Sequence, residues 1–299
     1  MGKLSKHLVL GYGGFIGTHM YKYLDKKGHF VLSSTIDLRD YKNALEVTKG
    51  IDYVWHFAAN MGGIGYFTSE NYQPPIDNYL IDLNVLRACE ANKVKRLFYP
   101  ASACAYPVDA MNDGVKLKET MLWGSANPDQ MYGWEKLTMI KLMKESPVDC
   151  RVGVLHTIYG PGQEFDGKKA KFPPQIAFKA IRAIKSKKIE VWGDGTQTRT
   201  FLYIDDAVRK IYELTMKKRY EGETNIGSDK EVSINDVVKL CCDILKIKPK
   251  IVYLTDKPVG PTRRLCNNKK YNTYNAKFKE TSLKIGFKRI INYIKKYEQ

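Results

Sequence analysis

The chain has no C-x-x-C pair among its six cysteines (Cys89, Cys104, Cys150, Cys241, Cys242 and Cys266), and no histidine cluster accompanies them. Neither a metal site nor a disulfide framework is therefore expected, and a reducing compartment is. Apolar runs of the ~18 residues that a membrane span needs are also missing. The opening M-G-K-L-S-K-H-L-V-L passes straight into a strand-like segment, without the cleavage site of a signal peptide. The same strand argues against the loose myristoylation pattern in M-G-K-L-S-K. These absences predict a soluble, unprocessed, cytoplasmic protein with no membrane partner. Internal repeats and low-complexity segments are lacking too, so 299 residues with 43% hydrophobic content fit one large domain or two intimate ones.

Acidic side chains are comparatively few: Asp plus Glu number 32 against 49 Lys plus Arg, a net charge of +17. Such an excess admits nucleic acid, an anionic surface or a small phosphorylated ligand. The basic residues are spread along the chain, and no clustered arginine/aromatic motif marks a nucleic-acid site. A nucleic-acid partner is not expected; an RNA-binding protein on the same fold is the competing class.

What is present is alternation. K-H-L-V-L, H-F-V-L-S-S and D-Y-V-W-H-F-A-A are short apolar runs separated by the helical patterns I-G-T-H-M-Y-K-Y-L-D-K-K and Y-K-N-A-L-E-V-T-K. That is the βαβαβ pattern of an α/β fold with a doubly wound parallel (Rossmann) sheet. A helix over 77–92, the strand R-L-F-Y-P, a loop to about Pro128, a helix over 131–144 and the strand C-R-V-G-V-L-H follow. Residues 1–165 are read as the cofactor domain, with a return segment near 195–225. Residues 166–299 are read as a smaller C-terminal α/β substrate domain, with helices over 174–185, 205–217, 234–245 and 282–297.

G-Y-G-G-F-I-G follows the first strand and opens a helix, with Gly11, Gly14 and Gly17 spaced so that backbone can approach a pyrophosphate. Phe15 and Ile16 lie in the same turn, and the helix N-terminus offers unpaired N–H groups. The second strand ends S-S-T without the usual ribose-binding acid; Asp37 and Leu38 are placed at the next strand, touching adenine. Ser33, Ser34 and Thr35 could donate to a 2′-phosphate, so NAD and NADP both fit. Tyr132 and Lys136 in Y-G-W-E-K share one helix face, where an ammonium and a cationic nicotinamide would lower the phenol's pKa for proton removal.

The glycine turn, F-A-A (Phe57, Ala58, Ala59), Ser102, and Tyr132 with Lys136 occur in this order. In that arrangement the chain resembles the extended short-chain dehydrogenase/reductases that modify nucleotide-activated sugars. The resemblance implies a tightly bound, recycled NAD or NADP touching those residues, a nucleotide-diphosphate sugar as substrate and a homodimer. Within the family, A-A-N-M-G-G-I-G-Y, A-S-A-C-A-Y-P, W-G-D-G-T-Q-T-R-T-F and N-I-G-S-D-K-E-V-S look most like the GDP-mannose 3,5-epimerases, which favours a GDP-sugar. K-P-V-G-P-T-R-R-L looks more like the GDP-fucose synthases. Both groups use a cysteine where Cys104 stands to exchange a proton beside a sugar carbonyl. Alternation along an extended strand end would face Ser102 and Cys104 the same way.

An ungapped match of Y-G-P (159–161) brings Lys171 to the second proton-transfer position, with Lys168 and Lys169 as near competitors, and Lys179 to a diphosphate contact. The likeness further implies substrate contacts by Gly62, Gln197, Arg199, and Arg263 or Arg264. Thr157 stands where both groups have asparagine, and Thr262 where the epimerases have arginine. Cys89 and Cys150 read as core; His7, His19, His29, His56 and His156 lack metal spacing.

Overall fold

The apolar runs of the first half become strands, each followed by a helix that covers it. A computed structural model describes residues 5–70, 72–125, 127–219, 222–275 and 278–297; Met1–Leu4, part of the M-G-K-L-S-K pattern, lie outside them. In chain order the elements begin with β1 (Lys6–Leu10), α1 (Phe15–Lys26), β2 (Phe30–Ser34), α2 (Tyr41–Val47), β3 (Tyr53–His56), α3 (Ile64–Ser69), α4 (Gln73–Ala91) and β4 (Arg96–Ser102). Then come α5 (Val108–Asn112), β5 (Lys116–Leu117), α6 (Gln130–Glu145), β6 (Cys150–Leu155), β7 (Thr157–Tyr159), α7 (Phe172–Ser186), β8 (Lys188–Trp192), β9 (Thr198–Tyr203) and α8 (Ile204–Met216). The chain ends with β10 (Thr224–Ile226), β11 (Glu231–Ser233), α9 (Ile234–Leu245), β12 (Lys250–Leu254), β13 (Arg263–Cys266), α10 (Lys269–Tyr274) and α11 (Leu283–Lys295).

Among the described residues the largest sheet has six strands in the order β10-β6-β4-β3-β1-β2, paired in parallel throughout. The order reverses between β1 and β3. At such a switch point the loops leaving adjacent strands diverge to opposite faces and leave a crevice at the strands' C-terminal ends. One apolar core packs α4 and α6 on one face; the other, on the opposite face, joins α1 and α8 to α7, α9 and α11. A second sheet, β11-β9-β13-β5 with β7 beside β9, carries the later segments.

The helices expected over 77–92 and 174–185 start earlier, at Gln73 and Phe172, because Pro74–Pro75 and Pro173 fall in first turns, where no N–H partner is needed. The stretch before Pro128 is not a bare loop. It holds α5, β5 and a 3₁₀ turn at Glu119–Trp123, pinned by the buried Met111, Leu117 and Leu122. Asp37 and Leu38 lie in the β2–α2 connection rather than at β3. Arg39 grips the Asp37 carboxylate at 2.8–3.2 Å, and Asn84 Nδ2 donates to the Leu38 carbonyl at 3.0 Å.

Gly11 ties β1 to β3. Its φ is +76°, and a Cβ there would stand 2.5 Å from the Ala58 nitrogen and the Phe57 carbonyl carbon. Gly11→Ala is expected to cost about 1–3 kcal/mol from backbone strain alone, read by urea denaturation; an unchanged midpoint would mean the turn can open elsewhere.

Candidate active site

The crevice at the switch point widens into one cleft of about 1260 Å³. Its floor at one end is the turn after β1. Gly13, Gly14, Phe15, Ile16 and Gly17 line it together with Phe57, Ala58 and Ala59. Gly14 caps α1 without a side chain, leaving the helix N-terminus open, and a side chain on Gly17 would strike the Gly11 carbonyl. A pyrophosphate fits this cradle because backbone N–H groups and the helix dipole are both directed at it.

Tyr132 and Lys136 rise from α6 into the cleft, both buried. Tyr132 stacks on Phe67 with ring centroids 4.6 Å apart, and Ser102 lines the same cleft. The Lys136 Nζ lies 3.2 Å from Asp82 Oδ2 and 3.0 Å from Glu135 Oε1, and donates to Tyr99 OH at 3.1 Å. Tyr99 OH donates in turn to Asp82 at 2.9 Å, and His56 Nε2 stands 2.8 Å from the other Asp82 oxygen. Burial works against the Lys136 charge, but Asp82 and Glu135 outweigh it and hold its pKa above the ordinary lysine value.

Burial likewise opposes ionisation of Asp82, yet Lys136 and His56 pull its pKa below the carboxylate range. Glu135 is pushed up to about 8 by burial, with Lys136 opposing and Asp82 reinforcing the shift. Lys136 does pull the phenol's pKa down, as expected, but in the free protein burial outweighs it. Burial raises the Tyr132 pKa more than Lys136 lowers it, and Cys104 and Glu135 add to the rise.

Cys104 sits in a 3₁₀ turn, Ala103–Ala105, that begins where β4 stops. Ser102 and Cys104 both line the cleft, but strand alternation is not the cause: Ser102 Oγ accepts from the Cys104 N–H at 3.2 Å and caps the turn. The Asp129 N–H donates to the Cys104 carbonyl at 2.9 Å, and Gly133 has no Cβ to block that approach. The thiol is thereby fixed to the N-terminus of α6, near Tyr132.

Lys171 precedes α7 and lines the same cleft. Burial lowers its pKa, with Cys104 opposing and Arg264 assisting. Lys168 and Lys169 are exposed; Lys169 Nζ reaches Asn60 Oδ1 at 3.2 Å over the Tyr66 ring. Arg199 and Arg264 are register partners on β9 and β13. Burial, aided by Arg264, brings the Arg199 pKa down to about 9, the condition of a cation awaiting an anion.

Gly62, Thr157, Lys179 and Gln197 also line the cleft; Lys179 donates to the Glu190 carbonyl at 3.0 Å. Of the two arginine candidates, Arg264 is brought in. Arg263 is held outside by Glu231 at 2.9 Å, because neighbours on β13 face opposite sides. Asp37 and Leu38 do not line the cleft either: one is exposed on Arg39, the other is core. Asp82, Glu135 and Tyr99 were missed by sequence reasoning. A usable signal was present in α4, where Asp77, Asn78, Asp82 and Asn84 fall among the apolar residues of the helix and are buried with them.

Residues 7–227 match the NAD dependent epimerase/dehydratase family. GDP-mannose 3,5-epimerase 1 of Oryza sativa subsp. japonica is 37% identical over 255 residues, covering 78% of this chain and 66% of that protein. The chain thus matches just under two thirds of that relative's length. GDP-L-fucose synthase of Sinorhizobium fredii is 28% identical over 295 residues, covering 93% and 91%. Among solved structures, GDP-L-fucose synthetase of Naegleria fowleri bound to NADP superposes with a TM-score of 0.84 at 21% identity, covering 100% of this chain and 97% of that one, a likeness of fold.

The buried cluster under Tyr132 makes a paired prediction. Asp82→Ala strips Lys136 and His56 of their shared partner and should cost about 3–5 kcal/mol of unfolding free energy. Glu135→Gln should behave oppositely with pH. Glu135 binds a proton in the folded state up to about 8, against ~4.3 unfolded. Its contribution is therefore complete below the lower value and lost as pH rises through the upper one. Urea midpoints measured across that window should fall in the parent and stay flatter in Glu135→Gln; parallel curves would refute the assignment.

Proposed function

Because the chain belongs to the NAD dependent epimerase/dehydratase family, we propose that it is an NAD(P)-dependent nucleotide-sugar epimerase that inverts carbons flanking C4 of a GDP-sugar. One observation carries this reading: Cys104 and Lys171 share a cleft with Tyr132, Lys136 and Ser102. Redox at C4 alone needs the last three. Two further proton-transfer groups of different chemistry are what inversion beside a carbonyl requires, one to take the proton and one to return it.

NAD(P), which the glycine turn after β1 with Phe57, Ala58 and Ala59 would hold, would supply reversible hydride transfer at C4. Tyr132 takes the C4 hydroxyl proton, and Ser102 holds the oxygen in line. Lys136 supplies positive charge beneath the phenol, and Asp82 keeps that ammonium in place. Cys104 exchanges the protons that the C4 carbonyl acidifies, a thiol being able to serve as acid and as base. Lys171, rather than Lys168 or Lys169, is its partner, since those two are exposed to solvent. Arg199, Gln197 and Lys179 serve the diphosphate, guanidinium forks matching phosphate oxygens.

In this reading residues 1–165 with the return segment near 195–225 hold the cofactor and 166–299 the sugar, in the cytoplasm. A homodimer forms through α4 and α6, whose outer faces expose Tyr72, Ile76, Leu80, Met131, Trp134 and Leu142; a monomeric mass by light scattering would remove that part. The coverage of the fucose synthase along nearly both whole chains favours one alternative, an epimerase/reductase of a 4-keto sugar consuming NADPH.

Incubation with GDP-mannose in deuterated water separates the two. Deuterium at C3 or C5 without net cofactor change is the expected result; none there, with steady NADPH oxidation on a 4-keto-6-deoxy sugar, selects the reductase. Cys104→Ser should abolish deuterium uptake by about 10²-fold or more, in the range of a lost acid–base group, while C4 hydride transfer continues. Equal loss of both would make Cys104 a packing residue.

A further inference from the structure

Six cysteines share one chain but not one environment. Burial pushes the thiols of Cys89, Cys241 and Cys266 above their ordinary range and that of Cys150 up to about 12. Cys104 alone among them has a cation within hydrogen-bond distance in the described structure: Arg264 Nη1 donates to its sulfur at 3.2 Å. A guanidinium stays charged at any working pH, and reactive cysteines are found beside such cations in partly exposed positions. Cys104 is partly exposed, at the wall of the cleft.

The groups around this pair limit what Arg264 can be doing. Its nearest carboxylate, Asp129, is 4.0 Å away, beyond hydrogen-bonding reach. Arg199 lies beside it on β9 and Lys171 faces it from the start of α7, both repelling. Ser102 Oγ meets the Cys104 N–H at 3.2 Å, at the backbone of the residue and not at its sulfur. Two arginines and a lysine converge with one weak counter-charge, and the sulfur is the group that a fork of Arg264 actually meets.

We propose that Arg264 is a positioning residue for Cys104, holding its sulfur as the thiolate and so assigning it the role of base, and is not simply a diphosphate clamp like Arg199. This rests on the epimerase reading above and extends it. In the exchange step the C–H bond beside the carbonyl breaks and an S–H bond forms, and the electron pair passes into the enolate. A Lys171 N–H bond then breaks as the new C–H bond forms. The charges that vanish at Cys104 and Lys171 leave Arg264 facing a neutral thiol; the pair is restored when Cys104 gives its proton to solvent and Lys171 takes one up.

The test is made first on the resting protein, where it does not depend on the substrate. Alkylation of Cys104 by iodoacetamide at pH 7, read by mass spectrometry of its peptide, should slow by about tenfold or more in Arg264→Gln, since loss of an adjacent charge moves a thiolate fraction by at least that factor. Arg264→Lys should restore the rate to within about threefold of the parent. With GDP-mannose, Arg264→Gln should lose deuterium uptake while C4 hydride transfer persists. An unchanged alkylation rate, with a raised KM and intact kcat, would overturn the proposal and leave Arg264 a clamp. If Arg264→Gln does not fold, Arg264→Lys decides: a tenfold loss with the charge retained sinks it. Slowed alkylation in a protein that never takes up deuterium would spare the Arg264–Cys104 pairing and refute the epimerase reading instead.

Discussion

An ammonium buried under a phenol is the constraint around which this site is built. Lys136 has almost no access to water, and an uncompensated charge at that depth would cost several kcal/mol. Asp82 of α4, Glu135 of α6 and Tyr99 of β4 close around it within 3.2 Å. Those three come from different elements, so α4, β4 and α6 must dock in one arrangement for the charge to be tolerated. That docking sets the height of Tyr132 above the sheet. It also fixes where β4 ends, and hence where the Ser102–Cys104 turn begins.

Electrostatics divides the cleft into two halves. Around Lys136 the charge is answered, with Asp82 held ionised by the ammonium and Glu135 pushed up to about 8 by burial. Toward the second sheet the charges are not answered. Arg199, Lys171 and Lys179 all have their pKa values lowered by burial. A protein accepts such a concentration of unmatched cations where a ligand supplies the anion. A nucleotide diphosphate would relieve the repulsion among them, so binding energy would be drawn from strain already present in the free protein.

The local parts of this site were legible in the sequence, and the non-local parts were not. G-Y-G-G-F-I-G and Y-G-W-E-K could be read because their geometry is set within one turn or one helix face. Lys171 was reached only by assuming an ungapped match from Y-G-P, and it lines the cleft together with its competitors Lys168 and Lys169. Asp37 was misplaced because the β2–α2 connection is irregular and no periodicity marks where the strand ends. The facing of Ser102 and Cys104 was foreseen for the wrong reason, as a capped turn replaces the extended strand. Choosing between Arg263 and Arg264 needed the parity of β13 against β9, which is a pairing register and cannot be read from either strand alone.

That parity has a chemical consequence. Shifting β13 by one residue would turn Arg263 into the cleft and Arg264 out of it, replacing the guanidinium that meets the thiol. The register is held by Thr198 N–H donating to the Thr262 carbonyl at 2.9 Å, and by Thr262 N–H donating to Asn112 Oδ1 at 3.1 Å. Asn112 ends α5, inside the stretch that looked like a loop. The short helix before Pro128 is therefore part of the apparatus that aims Arg264 at Cys104. Its residues touch neither the sulfur nor the cleft, yet they determine which of two adjacent arginines the chemistry receives.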